Sequence, residues 1–279
     1  MAIPYLSGFT VKPSAISVLG VVTFTDGTND ITPNQLQCEA YGYTYDQASG
    51  TCSTFRYNTN LNRSFDNVNN SIQGSRNSTE TGTNNTLVMG ESNTVKGFSR
   101  NNIISGSGNE ISNGINNSKI SGKMGKVIRQ GEVVLGGGSY NIGAGYTQSS
   151  KIQLSTKTTT ATPTNLYVQD IVGEYITLQN NSLLGYEIYL TRLETGGTSG
   201  VAGEFSYQNY KGAVRCDNSG VLTIYTHSIK TIARDGALGT MAIIDTTTSS
   251  IPSVTIQVTD RANVNNLWTA TVYLHELAT

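Results

Sequence analysis

The segment NNTLVMGESNTV (residues 84–95) decides the fold, because its pattern recurs along the chain. Paired asparagines precede a short apolar run that ends at a glycine, and a weaker Asn-Thr-Val follows. The glycines recur at intervals of 16, 16, 16 and 14 residues, and a β-branched apolar residue stands two positions before each. The repeat residues are Ile72 and Gly74, Val88 and Gly90, Ile104 and Gly106, Ile120 and Gly122, and Val134 and Gly136.

A constant period with a constant apolar position predicts a β-solenoid in which each period is one coil. The apolar residue points into a stacked core, and Asn and Gly occupy the corners where the backbone adopts positive φ. Stacked Asn side chains can also form amide ladders from coil to coil. The alternative is a polar linker, since Asn- and Ser-rich tracts are often disordered. A linker, however, has no reason to keep this period.

The predicted coil has a thin core, because each strand contributes one inward residue. Small cores are marginally stable. We therefore expect neighbouring chains to share the core around an axis, in a homotrimer.

Composition favours an all-β protein whose net charge is too small to attract a strongly charged partner. The chain has 279 residues, of which 37% are hydrophobic and 13% charged, and its net charge is -1. This balance argues against nucleic acid as a partner. No run of about 18 apolar residues is present, so no membrane insertion is expected. The start of the sequence lacks a secretory signal, which predicts assembly in a cytoplasm.

The repeat is similar to the head repeats of trimeric autotransporter adhesins, and it resembles still more the stalks of bacteriophage fibre and spike proteins. This resemblance covers about residues 65–145. The C-terminal part resembles a sandwich domain that recurs in phage structural proteins. The segments that carry that likeness are ATPTNL (161–166), residues 207–215, and residues 254–277 with Trp-Thr-Ala at 268–270.

Four regions are predicted. Residues 1–60 are tyrosine-rich and non-repetitive, and the phage resemblance implies that they anchor the chain to the virion. Residues 61–150 are the solenoid stalk, and the threonine-rich residues 151–165 are an exposed linker. Residues 166–279 contain short alternating strands separated by turns, which predicts a C-terminal β-sandwich head.

The three cysteines, Cys38, Cys52 and Cys216, do not form a disulfide framework by count. Cys38 and Cys52 flank an alternating segment that then turns, so the two thiols could lie opposite each other on a hairpin. Free or buried thiols are the alternative, and the sequence leaves both open.

Motifs for catalysis, cofactors or metals are absent from the sequence. His227 and His275 stand far apart, without a Cys/His cluster. Residues 66–70 (DNVNN) only loosely resemble a cation loop. We expect no cofactor and no enzyme. The alternative is a tailspike-type polysaccharide depolymerase, which needs an acidic pair within about 10 Å. Its candidate residues, scattered along the stalk, are Glu80, Glu91, Glu110 and Glu132.

The resulting hypothesis is a homotrimeric fibre on the surface of a phage virion, attached to head or tail. The N-terminus would bind capsid or tail proteins, and the C-terminal head would adhere to a host cell-surface glycan or protein. Aromatic rings offer flat amphipathic contacts. Candidate contact residues are Tyr207, Tyr210 and Tyr225.

Overall fold

Strands make up nearly all the regular structure of the chain in its computed structural model, so the all-β prediction is confirmed. The structure describes residues 11–18, 20–47, 49–54, 69–139, 143–248 and 251–279. The chain divides into two compact units, Met1–Leu61 and Asn62–Thr279. In the described part no helix is long and apolar enough to cross a membrane.

The N-terminal unit is a small sheet, a short helix and a hairpin held together by a disulfide. Its elements are β1 (Lys12–Ile16), β2 (Val22–Thr25), β3 (Asp30–Ile31), α1 (Gln35–Ala40), β4 (Thr44–Asp46) and β5 (Thr51–Ser53). Asn34 caps α1: its side chain accepts a hydrogen bond from the Gln37 amide, and the Gln37 side chain accepts one from the Asn34 amide. This capping box starts the helix that carries Cys38.

Cys38 and Cys52 form a disulfide. Of the two alternatives left open by the sequence, the paired cysteines are therefore correct; Cys52 lies on the hairpin strand β5, which pairs with β4, whereas Cys38 lies on α1 and not on the hairpin. The bonded pair packs with Val22 and Phe24, and these four residues are the buried core of this unit's described part. A core this small is typical of domains that depend on a covalent link.

The predicted solenoid is confirmed, and its coils stack as two parallel sheets. The first sheet contains β6 (Ser71–Ser75), β8 (Leu87–Glu91), β10 (Ile103–Ser107), β12 (Lys119–Lys123) and β14 (Val133–Gly137). The second contains β7 (Ser78–Thr79), β9 (Thr94–Val95), β11 (Glu110–Ile111) and β13 (Lys126–Val127). The five repeat glycines lie in register, as do the five β-branched residues before them.

The solenoid core is complete within one chain. Val88, Ile104 and Ile120 from the first sheet and Val95 and Ile111 from the second have 0% exposure in the isolated chain. Ile72 of the first coil packs against the same cluster. The inward residues are therefore covered within one chain, because the coils above and below pack against them.

Asparagine ladders connect the coils, as predicted. Asn109 has 1% exposure and donates to the side-chain oxygen of Asn93 through its backbone N (3.0 Å) and Nδ2 (3.1 Å). Its Oδ1 accepts from the Gly125 amide at 2.8 Å, and its Nδ2 donates to the Gly122 carbonyl at 3.1 Å. Buried amides are therefore satisfied by the equivalent residue one coil away.

We expect Asn109→Ala to lower the free energy of unfolding by about 2–3 kcal/mol, because it leaves buried backbone and amide groups without partners. Urea titration measures the loss. Asn113→Ala, an exposed asparagine in the same coil, is the matched control and should change stability by less than about 0.5 kcal/mol. Equal losses in the two variants would show that the ladder adds nothing.

The C-terminal strands extend the first solenoid sheet. They are β15 (Thr147–Thr158), β16 (Thr164–Asn165), β17 (Tyr167–Val168), β18 (Ile176–Thr177), β19 (Ser182–Gly196), β20 (Phe205–Cys216), β21 (Leu222–Asp235), β22 (Thr240–Asp245), β23 (Ser253–Thr259) and β24 (Asn265–Ala278). β15 pairs antiparallel with β14 and with β24, and the order continues through β19 and β20 to β21. The parallel and antiparallel parts are therefore one sheet.

The predicted linker at 151–165 starts inside this sheet, since residues 151–158 belong to β15. Every second side chain of this stretch, from Ile152 to Thr158, is buried. High threonine content predicts an exposed segment, but threonine also fits the pleated surface of a strand, and here the strand forms.

One face of the large sheet is covered by a smaller one. β23 lies between β16 and β18 and also pairs with β22, and its Val254, Ile256 and Val258 enter a core cluster with the large sheet. Trp268 of β24 is buried in this cluster, and its indole Nε1 donates to the Thr158 hydroxyl at 2.9 Å. The opposite face of the large sheet carries the exposed positions of the same strands.

Candidate functional site

The uncovered face of the large sheet, here called the open face, runs from the solenoid into the C-terminal strands. Paired residues of adjacent strands lie on the same side of a sheet. The strand registers therefore place one row of side chains across this face. In order of the strands the row is Leu87, Ile103, Lys119, Val133, Lys151, Tyr273, Glu187 and Lys211.

A groove of about 1050 Å³ lies on the open face where the solenoid sheet meets β15, β24 and β19. Its aliphatic wall is Val133 and Leu135 of β14, and its polar positions include Ser149 and Thr271. His275, which is exposed, also lines it. The groove is thus amphipathic and open.

Three tyrosines form the aromatic part of the groove. The ring of Tyr189 stacks on that of Tyr207 with centroids 5.9 Å apart, and it meets the Tyr273 ring edge-on at 6.1 Å. The ammonium group of Lys151 lies 5.8 Å from the centre of the Tyr273 ring. Such a cluster presents flat apolar surface beside a cation.

Glu187, the groove's carboxylate, is held by three donors. Its Oε1 accepts from Lys211 at 2.9 Å, from the Tyr189 hydroxyl at 2.7 Å and from Asn209 at 3.2 Å. The hydrogen bond from Lys211, followed by that from Tyr189, lowers the pKa of Glu187. Glu187 is therefore ionised at neutral pH and unsuited to donate a proton.

The predicted contact tyrosines have three different environments. Tyr207 lines the groove. Tyr210 has 3% exposure and belongs to the core between the two sheets, so its prediction as a contact residue is wrong. β20 pairs irregularly with the next strand, β21, with register shifts between Tyr207 and Gln208 and between Lys211 and Gly212. Tyr225, on β21, is 54% exposed.

The stalk glutamates named for the depolymerase alternative pair with basic residues of the chain. Glu80 binds Lys96 and Glu110 binds Lys126, both at 3.0 Å, and Glu91 binds Arg76. The hydrogen bond from Lys96 lowers the pKa of Glu80. These contacts connect successive coils, and such exposed pairs each contribute little to stability.

Two buried arginines bring carboxylate groups close together in clusters that the sequence did not predict. Arg129 binds Glu132 at 2.5 Å and Glu276 at 2.8 Å, which joins the last coil to β24. Burial raises the pKa of Glu132, and the charge of Arg129 opposes this effect. Glu132 has no exposed surface, so this acidic pair is out of reach of a polymer.

The second arginine, Arg192, lies in the C-terminal part. It binds Asp260 at 2.5 Å and Glu194 at 3.3 Å, and all three side chains are buried. Glu194 lies on the same strand as Arg192, two positions away, but Asp260 is 68 positions away, so no local periodicity signals the cluster.

In the described part of the chain, the arrangement of side chains supports neither a metal site nor a reactive thiol. No group of three or more His, Cys, Asp or Glu side chains there could hold a metal ion. His227 lies on β21, and residues 66–68 of the loosely predicted cation loop fall outside the described residues. Cys216 is buried, which raises the pKa of its thiol and makes it unreactive.

Comparison with known proteins gives a weak structural likeness. No protein-family model matches the chain, and no curated protein matches it. The tailspike protein of Acinetobacter baumannii phage AM24 matches with a TM-score of 0.26 and 7% identity, over 74% of this chain and 48% of that one. The tailspike protein of Acinetobacter phage vB_ApiP_P1 matches with a TM-score of 0.20 and 13% identity, over 75% and 48%. The chain spans about half the length of these proteins, and at such TM-scores the likeness does not define function.

Proposed function

We propose that this chain is the subunit of a homotrimeric fibre or spike on the surface of a phage virion, and that it mediates adhesion to the host. The observation that supports this most directly is the in-register solenoid. Its coils are joined by backbone hydrogen bonds and by asparagine ladders such as Asn93 to Asn109. A stack with this bonding is a rigid spacer, which suits a projecting part.

In this proposal the N-terminal residues 1–60 attach to a capsid or tail protein. The two packed sheets of the C-terminal part form the sandwich head and carry the adhesive surface. Three copies bound to one particle raise weak individual contacts to useful avidity. Because the inward residues of the solenoid are covered within one chain, the role proposed for the trimer is valency and attachment.

Catalysis is not part of the proposal. The close acidic pairs around Arg129 and Arg192 are buried, and the stalk glutamates Glu80, Glu91 and Glu110 are neutralised by basic neighbours. Incubation of host capsule with purified protein should leave the polymer length unchanged. Shortened chains would instead support the depolymerase alternative.

We expect light scattering of the purified protein to give three times the chain mass of 29.8 kDa. Antibodies against the protein should label intact particles, and the free protein should reduce phage adsorption to host cells. A monomer in solution, or particles that bind no antibody, would contradict the proposal.

A further inference from the structure

The open face has a charge that differs from that of the whole chain. The chain carries -1, whereas on the strands from β6 to β20 this face bears six basic side chains and two acidic ones, Glu91 and Glu187. The basic residues are Lys119, Lys123, Lys151, Lys157, Lys211 and Arg215. Among the described residues, Lys211 is the only one of these with a carboxylate partner within 4.0 Å. The face therefore attracts anions.

This charge disfavours a second copy of the chain as the occupant of the groove. Open faces of several copies turned towards each other would bring like charges together, which is costly in a desolvated interface. The two acids cannot offset it, because Glu187 already binds Lys211 and Glu91 binds Arg76.

The spacing of the cations suits a polymer with sparse charge. Lys119 and Lys151 are two strands apart and Lys151 and Lys211 three, which gives about 10 Å and about 14 Å at the usual strand spacing. A strand of duplex nucleic acid carries a phosphate about every 3.4 Å, much more densely. A polysaccharide with a carboxylate on some of its sugars has charges farther apart.

The groove supplies the second element of glycan recognition. Tyr273 and Tyr189 offer ring faces and edges for the apolar faces of sugar rings. The hydroxyl of Thr271 and the imidazole of His275, which also line the groove, can hydrogen-bond sugar hydroxyls. Its volume of about 1050 Å³ is at the upper end of ligand clefts, which suits an oligosaccharide.

We infer that the open-face groove binds a carboxylate-bearing polysaccharide, with Tyr189 and Tyr273 contacting sugar rings and Lys151 pairing with a carboxylate. This inference rests on the proposed adhesive function and specifies its ligand. Tyr207 then acts mainly as the ring that supports Tyr189.

The test is calorimetric titration of the full chain with oligogalacturonate, hyaluronan and polysialic acid. Methyl-esterified oligogalacturonate, which has the same backbone without the charge, is the uncharged control. We expect binding of at least one acidic polymer, no binding of the ester, and weaker binding as salt is raised. Lys151→Gln should weaken it about threefold to tenfold and Tyr273→Ala about tenfold.

Matched variants separate binding from folding. Tyr273→Phe keeps the ring and should bind more tightly than Tyr273→Ala, whereas Lys12→Gln, at an exposed lysine of the N-terminal unit, should bind as the wild type does. Circular dichroism should show equal melting for all four variants. A variant that melts at a lower temperature than the wild type is replaced by Lys119→Gln, which is expected to weaken binding as much as Lys151→Gln does.

Four results would overturn the inference. The first is that the chain binds none of the three acidic polymers, and the second is that Lys151→Gln and Tyr273→Ala bind as tightly as the wild type. The third is that single-stranded DNA binds equally well, and the fourth is that Leu135→Glu converts an oligomer to monomers. The last would make the open face a subunit interface. If the wild type is a trimer that binds no acidic polymer, this inference alone fails, whereas a monomeric wild type contradicts the proposed fibre.

Discussion

Replacing Gly106 by alanine is expected to lower the free energy of unfolding by about 3–5 kcal/mol. Gly106 has φ +120°, a conformation that L residues rarely adopt. A Cβ at this position would overlap the carbonyl oxygen of Gly122 in the next coil. Since that carbonyl belongs to the stacked backbone, the clash is relieved only by separating the coils.

Two other glycines of the solenoid provide a graded control. Gly114 also has positive φ, at +72°, but a Cβ added there would have no atom within 4 Å, so Gly114→Ala should cost only about 1–2 kcal/mol. At Gly122 the added Cβ would lie 2.6 Å from the Gly136 carbonyl oxygen, and the loss should be intermediate. Urea titration gives the order. A Gly106 variant no less stable than the Gly114 variant would show that the glycine stack does not set the coil spacing.

The second large effect is expected from Arg129→Met, which should cost about 3–5 kcal/mol because it leaves Glu132 and Glu276 buried without a cation. Arg129 also donates to the Thr177 carbonyl from Nε at 2.9 Å. The side chain thus connects the last coil, β18 and β24, and its loss should loosen the junction between solenoid and C-terminal sheet.

The pH dependence of this variant follows from the same burial. Without Arg129, desolvation keeps the folded-state pKa of Glu132 above its unfolded value. The folded state then binds more protons than the unfolded state, so stability should increase as the pH falls from 7 towards the unfolded pKa. Urea titrations at both ends of this range measure it.

The triple variant Arg129→Met, Glu132→Gln, Glu276→Gln is the control. It removes both carboxylate charges along with the cation, so it should recover part of the loss and have a flatter pH profile. If the single and triple variants are equally stable at neutral pH, the effect comes from lost packing and not from unpaired charge.

Local pattern predicted the solenoid well because the coil is a local structure. Ile104 is buried by the equivalent residues 16 positions away. Gly106 must be a glycine because it lies against the equivalent glycines of the adjacent coils, so the pattern of one period describes every coil. The predicted inward positions and glycines are those that lie in register in the structure. A count of inward residues per strand does not reveal how completely adjacent coils cover them within one chain, and the sharing of the core among chains stays a prediction.

The candidate site was only partly predictable. Alternation along β20 places Tyr207 and Tyr210 on opposite faces of the strand but does not tell which face will be covered; in the structure the first lines the groove and the second is in the core. Glu187 and Lys211 become neighbours only when β19 and β20 pair. The disulfide between Cys38 and Cys52 likewise joins a helix and a hairpin strand, an arrangement that alternation between the two cysteines does not indicate.

The sequence by itself therefore determined the all-β class, the 16-residue coil, its inward β-branched residues and its stacked glycines and asparagines, since each depends on contacts between equivalent positions. Only the tertiary structure decided that the solenoid sheet continues through β15, which face of that sheet stays open, and that Arg129 binds the distant Glu276 as well as the neighbouring Glu132. The pairing of β15 with β24 and the contact between Arg129 and Glu276 join segments more than a hundred residues apart, and no local period carries that information.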